Sequence, residues 1–225
     1  MWNKIYWKIA DFEEENSFAR KVRIKRMKIF KNIISNLPKP LKILDIGGTE
    51  TFWDIMGFAG DENYKITVLN LSKIETKYKN IKSVIGDGRD LKEFEDNEFD
   101  IVFSNSVIEH VGNFEDQKKM ADEMKRVGKR YFLQTPNYYA PIEPHFFFPM
   151  FQFLPTFIQI KMLQNFSLGY FKKTPLKENA REIVESIQLL KKNDIKKLFP
   201  EAIIEKEKVS CFTISFIVYS GFNDH

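Results

Sequence analysis

The sequence predicts an α/β protein built on one mostly parallel sheet with helices on both faces. Short and nearly continuous apolar runs alternate with helical segments, a pattern typical of parallel strands that are buried on both faces. The last two strand candidates, residues 202–209 and 211–220, follow each other almost directly. So short a connection allows only an antiparallel pair, since parallel strands need a crossover.

The predicted elements follow one another without a linker. A helix is expected from about Asp11 to Leu37, where apolar residues recur at steps of three and four before Pro38. Another helix, over 114–128, ends at Gly128, and a third is expected over 180–200. The first five strands are predicted at 42–46, 65–70, 81–87, 99–106 and 130–136, with a short helix after the first strand that ends near Gly57 or Gly60.

A chain of 225 residues with 43% hydrophobic content and no change in composition predicts one domain. Its parts are an N-terminal helical cap (1–40), a cofactor-binding core (41–136), a substrate or lid insert (137–178), and a C-terminal helix with antiparallel strands (179–225).

Charge and cysteine content narrow the functional classes. The 35 basic and 31 acidic residues leave a formal charge of +4, so the balance gives no sign of a nucleic-acid surface. The single cysteine, Cys211, excludes a disulfide within the chain, fits a reducing cytoplasm, and lies in an apolar run that predicts a buried strand. We find neither a secretory leader nor an apolar run of about 18 residues, which predicts a cytoplasmic protein without a membrane span.

Polar residues follow each of the first four predicted strands. Because the carboxyl ends of parallel strands meet at one edge of the sheet, where open α/β folds bind ligands, these residues are candidates for one site. They are Asp45, Gly47 and Gly48 after strand one, Asn70 and Leu71 after strand two, Asp87 and Gly88 after strand three, and Asn105 and Ser106 after strand four.

With these clusters in this order and an EH pair after the fourth strand, residues 40–136 resemble the class I S-adenosylmethionine-dependent methyltransferases, particularly the small-molecule group. The resemblance implies a Rossmann-like seven-stranded sheet with an antiparallel last strand, S-adenosylmethionine as the cofactor, and methyl transfer. A nicotinamide dehydrogenase would need G-x-G-x-x-G and a later acid, and the chain meets neither requirement cleanly.

The resemblance also implies roles for the strand-end residues. Asp45, Gly47 and Gly48 would hold the amino-acid part of the cofactor, Asp87 and Gly88 the adenine, and Asn105 and Ser106 the methionine part and the transfer channel. The chain departs from the family at two places. Asn70, followed by Leu71, replaces the acid that binds both ribose hydroxyls, and only the first glycine of the usual G-x-G-x-G is in register.

Four polar side chains are candidates for catalysis or substrate contact. Glu109 and His110 follow the fourth strand, and Glu143 and His145 lie in a proline-rich segment after the fifth. The alternative for each pair is a structural role, in ordering its own loop. The terminal His225 is set aside, and the absence of H-x-x-x-H or C-x-x-C spacing predicts no metal site.

Three further segments have alternative interpretations. The phenylalanine-rich stretch of the insert is an apolar lid, a surface for lipid or an acyl chain, or a dimer contact. The basic run over 21–32 keeps helical apolar spacing, which favours a solvated helix face over nucleic-acid binding. Near the N-terminus, Trp2, Tyr6 and Trp7 either close over the site or serve only packing.

The leading hypothesis is therefore O-methylation of a small metabolite, such as a saccharide or a cell-surface precursor. A second hypothesis is methylation of a quinone-like or lipid substrate at a membrane surface, and a third is a non-catalytic binding protein on the same fold. The expected partner is a small-molecule substrate, with a homodimer as an option and no nucleic acid.

Overall fold

The computed structural model describes residues 12–222, so the predictions for Trp2, Tyr6, Trp7 and His225 lie outside the described residues. The strands are β1 (Leu41–Ile46), β2 (Tyr64–Asn70), β3 (Ile81–Ile85), β4 (Ile101–Asn105), β5 (Tyr131–Pro136), β6 (Ile142–Glu143), β7 (Phe148–Pro149), β8 (Ile203–Val209) and β9 (Phe212–Ser220).

One sheet has the strand order β3-β2-β1-β4-β5-β9-β8. Its first five strands are parallel, and β9 lies antiparallel between β5 and β8. The predicted sheet with its antiparallel last strand is confirmed. The chain runs outward from β1 to β3 and then returns to β4, so the direction of winding reverses between β1 and β4. At such a reversal, a crevice opens beyond the carboxyl ends of the strands.

The helices are α1 (Phe18–Ile33), α2 (Glu50–Ile55), α3 (Phe114–Val127), α4 (Thr156–Asn165), α5 (Lys177–Glu185) and α6 (Lys192–Leu198), with 3-10 turns at Ile108–His110 and Phe151–Phe153. Among residues 12–222, no helix has both the length and the apolar character needed to cross a bilayer.

Helices cover both faces of the sheet because neighbouring strand residues point to opposite sides. On one face, α3 and α6 pack against Leu44 of β1 and its neighbours. On the other face, Phe30 of α1 and Trp53 of α2 pack against Ile43 and Phe103, and Phe103 stacks on Phe132 with ring centroids 5.5 Å apart. The insert and α5 together form a third cluster, made of Phe146, Phe151, Ile160, Leu163, Ala180 and Val184.

Two predicted helices have different bounds in the structure. Helix α1 begins at Phe18 rather than Asp11, because the Ser17 hydroxyl accepts the Arg20 N–H at 3.0 Å and caps the helix there. The helix predicted over 180–200 is two helices, α5 and α6. The segment between them turns its backbone to the sheet edge, where the Gln188 N–H donates to the Glu109 carbonyl at 2.8 Å.

Two side-chain predictions were wrong. Cys211 is exposed in the turn between β8 and β9, because β9 begins one residue later. The prediction that the basic run of α1 is a solvated face was also wrong at one residue, since Arg26 is buried. Arg26 follows Val22 by four residues and precedes Phe30 by four, so it lies on the inward face of the helix.

Candidate active site

The chain leaves β1 through a glycine turn that fits closely around Asp45. Gly47 has a positive φ of 76°, and its N–H donates to the Leu69 carbonyl at 2.8 Å. A Cβ atom at Gly48 would lie 1.6 Å from Oδ2 of Asp45, so only glycine lets the turn pass over this carboxyl group. The sequence-predicted residues Asp45, Gly47 and Gly48 therefore form one compact feature.

The carboxyl group of Asp45 is buried and incompletely satisfied. Its Oδ2 accepts the indole N–H of Trp53 at 2.7 Å, whereas Oδ1 accepts no hydrogen bond from the residues that the structure describes. Burial raises the pKa of Asp45 to about 8, and the bond from Trp53 opposes this only in part. A ligand ammonium group would supply both the missing donor and a compensating charge.

Asn70 at the end of β2 holds the glycine turn in place. Its amide N–H donates to the Gly48 carbonyl at 2.9 Å. An amide in this position can still accept a ligand hydroxyl through its oxygen, which a carboxylate would do more strongly. Beside it, Leu71 and Ile85 are 80% and 59% exposed, so the ends of β2 and β3 present aliphatic surface that a flat ring could cover.

Asp87 lies after β3 and binds its neighbour Arg89. The guanidinium donates to the carboxylate from Nε at 3.0 Å and from Nη2 at 2.6 Å, and this hydrogen bonding holds the pKa of Asp87 below its usual value. At Gly88, a Cβ atom would come within 2.7 Å of Ile46. The loop therefore lies close against the end of β1.

The four predicted catalytic candidates converge in one cluster. His110 and His145 meet edge to face with ring centroids 4.7 Å apart, although they are 35 residues apart in sequence. Nε2 of His145 lies 4.0 Å from Oε1 of Glu109, and Nδ1 of His145 lies 2.7 Å from Oε1 of Glu143. The cluster therefore joins the loop after β4 to the insert after β5.

Burial and neighbouring charges both shift the pKa values of the cluster. Burial disfavours a charged His145, but its hydrogen bond to Glu143 and the charges of Glu143 and Glu109 outweigh this effect, so its pKa is raised. Burial raises the pKa of Glu109. Although His110 is an exposed residue, its imidazole is desolvated and faces His145, and these effects lower its pKa to about 4.

A cavity of about 660 Å³ opens between α1, the insert and β9. Ser106 and Gln134 lie at its sheet side, where the Ser106 hydroxyl donates to Gln134 Oε1 at 2.8 Å. Most of its lining is apolar and comes from Phe18, Ala19, Val22, Pro136, Pro141, Ile142, Pro144, Phe147, Val209, Phe212 and Ile214.

A buried ion pair forms part of the cavity wall. The guanidinium of Arg26 donates to Glu207 Oε2 at 2.6 Å, and both side chains are about 6% exposed. Arg26 also donates to the side-chain oxygen of Asn105, and Ser215 donates to Glu207. Asn105 thus faces α1, while its neighbour Ser106 lines the cavity.

Residues 48–131 match the model of the methyltransferase domain family. These residues carry a methyltransferase domain, and the sheet that they help to form has the class I S-adenosylmethionine-dependent fold. Comparison with curated protein sequences gives no match.

Three solved methyltransferases share the fold. An S-adenosylmethionine-dependent methyltransferase from Methanosarcina mazei is 14% identical, with a TM-score of 0.51 over 84% of this chain and 95% of its own. Phosphoethanolamine N-methyltransferase 2 from Haemonchus contortus, in complex with S-adenosylmethionine, is 16% identical, with a TM-score of 0.52 over 81% and 38%. Magnesium protoporphyrin IX methyltransferase from Synechocystis, with S-adenosylhomocysteine bound, is 12% identical, with a TM-score of 0.50 over 88% and 80%.

The chemistry of the strand-end residues fits S-adenosylmethionine. The orphaned Oδ1 of Asp45 suits the ammonium group of S-adenosylmethionine, and the close passage at Gly48 leaves the turn backbone free to approach it. The exposed aliphatic surface at Leu71 suits the adenine. The residues present therefore fit the cofactor, and their individual roles stay predictions.

We expect Asp87→Ala to weaken cofactor binding by about tenfold, which corresponds to roughly 1.4 kcal/mol for a lost polar contact. The measurement is calorimetric titration with S-adenosylhomocysteine. Asp90→Ala is the matched control, because Asp90 lies in the same loop and its carboxylate pairs with exposed Lys92. Equal cofactor affinities of both variants and the wild type would show that Asp87 is not part of the cofactor site.

Sequence reasoning missed Arg26 and Glu207. A signal for Arg26 existed, since a basic residue at four-residue steps from Val22 and Phe30 lies on the apolar face of a helix. Glu207 gave a weaker signal, as an acid at an alternating position of a strand. Their pairing joins residues 181 positions apart, which no local pattern can show.

Proposed function

We propose that this methyltransferase transfers the methyl group of S-adenosylmethionine to a hydroxyl oxygen of a small acceptor with an apolar body. The observation that carries the proposal is the apolar cavity beside Ser106. Its phenylalanine, proline and aliphatic walls favour burial of hydrocarbon or aromatic surface, whereas a saccharide needs many polar partners. The quinone-like or lipid class is therefore favoured over the saccharide class.

The polar part of the cavity supports an acceptor with one oxygen-bearing end. Ser106 and Gln134 lie where β4 and β5 end, on the same edge as the predicted cofactor turn. Transfer forms a bond between the acceptor oxygen and the methyl carbon and breaks the bond from that carbon to sulfur. The hydroxyl proton must also leave, and the cluster of Glu109, His110 and His145 is our candidate for promoting that loss.

Contact with a membrane surface and formation of a homodimer stay predictions. In support of the first, Ile142, Tyr170 and Phe212 both line the cavity and expose 47–55% of their surface. Acceptor entry from a lipid phase would use this side of the molecule.

The test is release of S-adenosylhomocysteine with a panel of acceptors. Phenols, quinols and long-chain hydroxy compounds are compared with sugars and nucleotide sugars, and each active acceptor is paired with its O-methylated form. We expect release with the apolar hydroxyl compounds alone and none with the blocked forms. A preference for sugars would contradict the proposal, and failure to bind S-adenosylmethionine would favour the non-catalytic alternative.

A pair of variants tests the cavity itself. Phe212→Asp places a charge in the lining at a residue that is 55% exposed, so the fold should tolerate it. We expect the KM for the apolar acceptor to rise at least about tenfold while cofactor affinity is unchanged. Phe157→Asp is the control, because Phe157 is 70% exposed and lies outside the lining residues. Equal KM values for the two variants would place the acceptor elsewhere.

A further inference from the structure

Three side chains with metal-binding atoms meet where the loop after β4 approaches the insert, the two segments that also give Ser106 and Pro144 to the cavity lining. One potential ligand atom from each of Glu109, His110 and His145 lies within 4.8 Å of the other two. The loop after β4 supplies the first two and the insert supplies the third. Two imidazoles and one carboxylate are ligands that divalent transition metals prefer.

One of these side chains, His145, is already held in a ligating orientation. Nδ1 of His145 is bonded to Glu143 at 2.7 Å, which leaves Nε2 facing Glu109. Glu143 is itself fixed, because its other oxygen accepts the N–H groups of His145 and Phe146 at 2.7 and 2.6 Å. Metal-binding histidines commonly have such a carboxylate on their second nitrogen, where it sets tautomer and ring orientation.

Glu109 provides an independent sign that the cluster binds a cation. The residue is 0% exposed, and its Oε2 accepts the Thr135 hydroxyl at 3.0 Å. Its Oε1 accepts no hydrogen bond from the part of the chain that the structure describes, and it points toward Nε2 of His145. A buried carboxylate oxygen without a donor is costly, and a bound cation would remove that cost.

We propose that Glu109, His110 and His145 bind one divalent transition-metal ion, whose open coordination positions take the acceptor hydroxyl. The expectation of no metal rested on sequence spacing, which does not reveal ligands brought together by folding. Nitrogen and oxygen ligands lie about 2.0–2.2 Å from zinc, so tetrahedral neighbours are about 3.4 Å apart. The 4.0 Å between Glu109 and His145 requires only a small contraction, and a ligand atom of His110 already lies within 4.8 Å of both.

The metal site adds a catalytic group to the proposed function, and the role of the metal rests on that function. A hydroxyl bound to a divalent ion gives up its proton to water far more readily than a free hydroxyl. The resulting oxygen anion takes the methyl carbon of S-adenosylmethionine, and the sulfonium leaves as neutral S-adenosylhomocysteine. Three protein ligands, with the remaining positions open, are the arrangement of catalytic rather than structural zinc sites.

The test measures metal binding in the absence of cofactor and acceptor. Full-length protein is stripped with a chelator, dialysed and titrated with Co²⁺, whose visible absorption reports nitrogen and oxygen ligation, and with Zn²⁺ by calorimetry. We expect one Co²⁺ per chain, displacement by Zn²⁺, micromolar or tighter affinity, and much weaker binding of Mg²⁺. Absence of a visible band would overturn the proposal.

Variants locate the ion. Glu109→Gln and His145→Gln keep side-chain size, and each is expected to weaken Zn²⁺ binding at least about 100-fold, in the range of other ligand losses. His225→Gln is the matched control, because it removes the remaining histidine of the chain outside the cluster. Unchanged binding in His145→Gln, or equal loss in His225→Gln, would overturn the assignment.

Failure of the site and failure of the proposed function give different results. Metal bound at the cluster with no methyl transfer to any apolar acceptor would reject the function and keep the site. Transfer that persists after chelation, in protein that binds no Co²⁺, would reject the site and keep the function.

Discussion

Replacing Asp45 by Asn is expected to change the free energy of unfolding of the cofactor-free protein in a pH-dependent way. The effect of the substitution should be more favourable at pH 8 than at pH 4, by up to about 5 kcal/mol. The folded-state pKa of Asp45 is raised to about 8 by burial, whereas an unfolded chain ionises near 3.9. The folded form therefore holds its proton more tightly. The stability that this proton contributes is fully present below about pH 4 and is lost as the pH rises toward 8. Asn carries no such proton and still offers Trp53 an acceptor.

The measurement is urea denaturation of both proteins at several values between pH 4 and 9. The wild type should lose stability across this range, and Asp45→Asn should lose less. Asp122→Asn is the control, because Asp122 is 54% exposed and pairs with Lys125 on the surface of α3. Parallel curves for wild type and Asp45→Asn would show that Asp45 titrates normally and that its burial is unimportant for folding.

The same substitution separates stability from cofactor binding. If the ammonium group of S-adenosylmethionine pairs with the orphaned Oδ1, binding near neutral pH should release a proton from Asp45. Asp45→Asn should abolish this release and weaken affinity at least about tenfold, since a charge-assisted hydrogen bond is lost. Calorimetry in two buffers of different ionisation enthalpy measures the proton directly. Release of the same proton by the Asn variant would exclude Asp45 as its source.

The sequence revealed the sheet well because its strands are buried on both faces. Such strands have a nearly continuous apolar run, and β1 to β5 accordingly lie within one or two residues of their predicted bounds. The strand-end clusters could be found for a related reason, since parallel strands bring their carboxyl ends to one edge whatever the connections do. Asp45 and Gly48 were therefore identifiable from the sequence as candidates for one site, and the structure places them against each other.

The parts that could not be predicted depend on contacts between distant residues. The segment between α5 and α6 has helical periodicity, but its backbone bonds to Glu109 and Tyr138 instead. His110 and His145 gave only a weak signal separately, and their convergence follows from how the insert folds back over β4. Helical periodicity predicted that the basic run of α1 faces solvent, yet Arg26 forms an ion pair with Glu207 of β8.

Arg26→Met is expected to destabilise the protein by about 3–5 kcal/mol. The substitution keeps the apolar stem of the side chain but removes the guanidinium and leaves Glu207 buried, with Ser215 as its remaining described donor. Removing one member of a buried pair costs more than the pair itself contributes, because the other charge stays desolvated. Lys25→Met on the same helix is the control, since Lys25 is exposed and its loss should change stability by less than about 0.5 kcal/mol.

The double variant Arg26→Met/Glu207→Leu tests whether the ion pair serves only the stability of the fold or also the binding of the acceptor. If the ion pair serves only the fold, replacing both charges with apolar groups should recover most of the lost stability and leave acceptor kinetics unchanged. Because Arg26 and Glu207 line the proposed acceptor cavity, we expect stability to recover while the KM for the acceptor rises about tenfold or more. A double variant as unstable as Arg26→Met would show that the cost arises from packing or from the contact with Asn105. Recovery of both stability and KM would confine the pair to folding and leave Ser106 and Gln134 as the polar contacts of the acceptor.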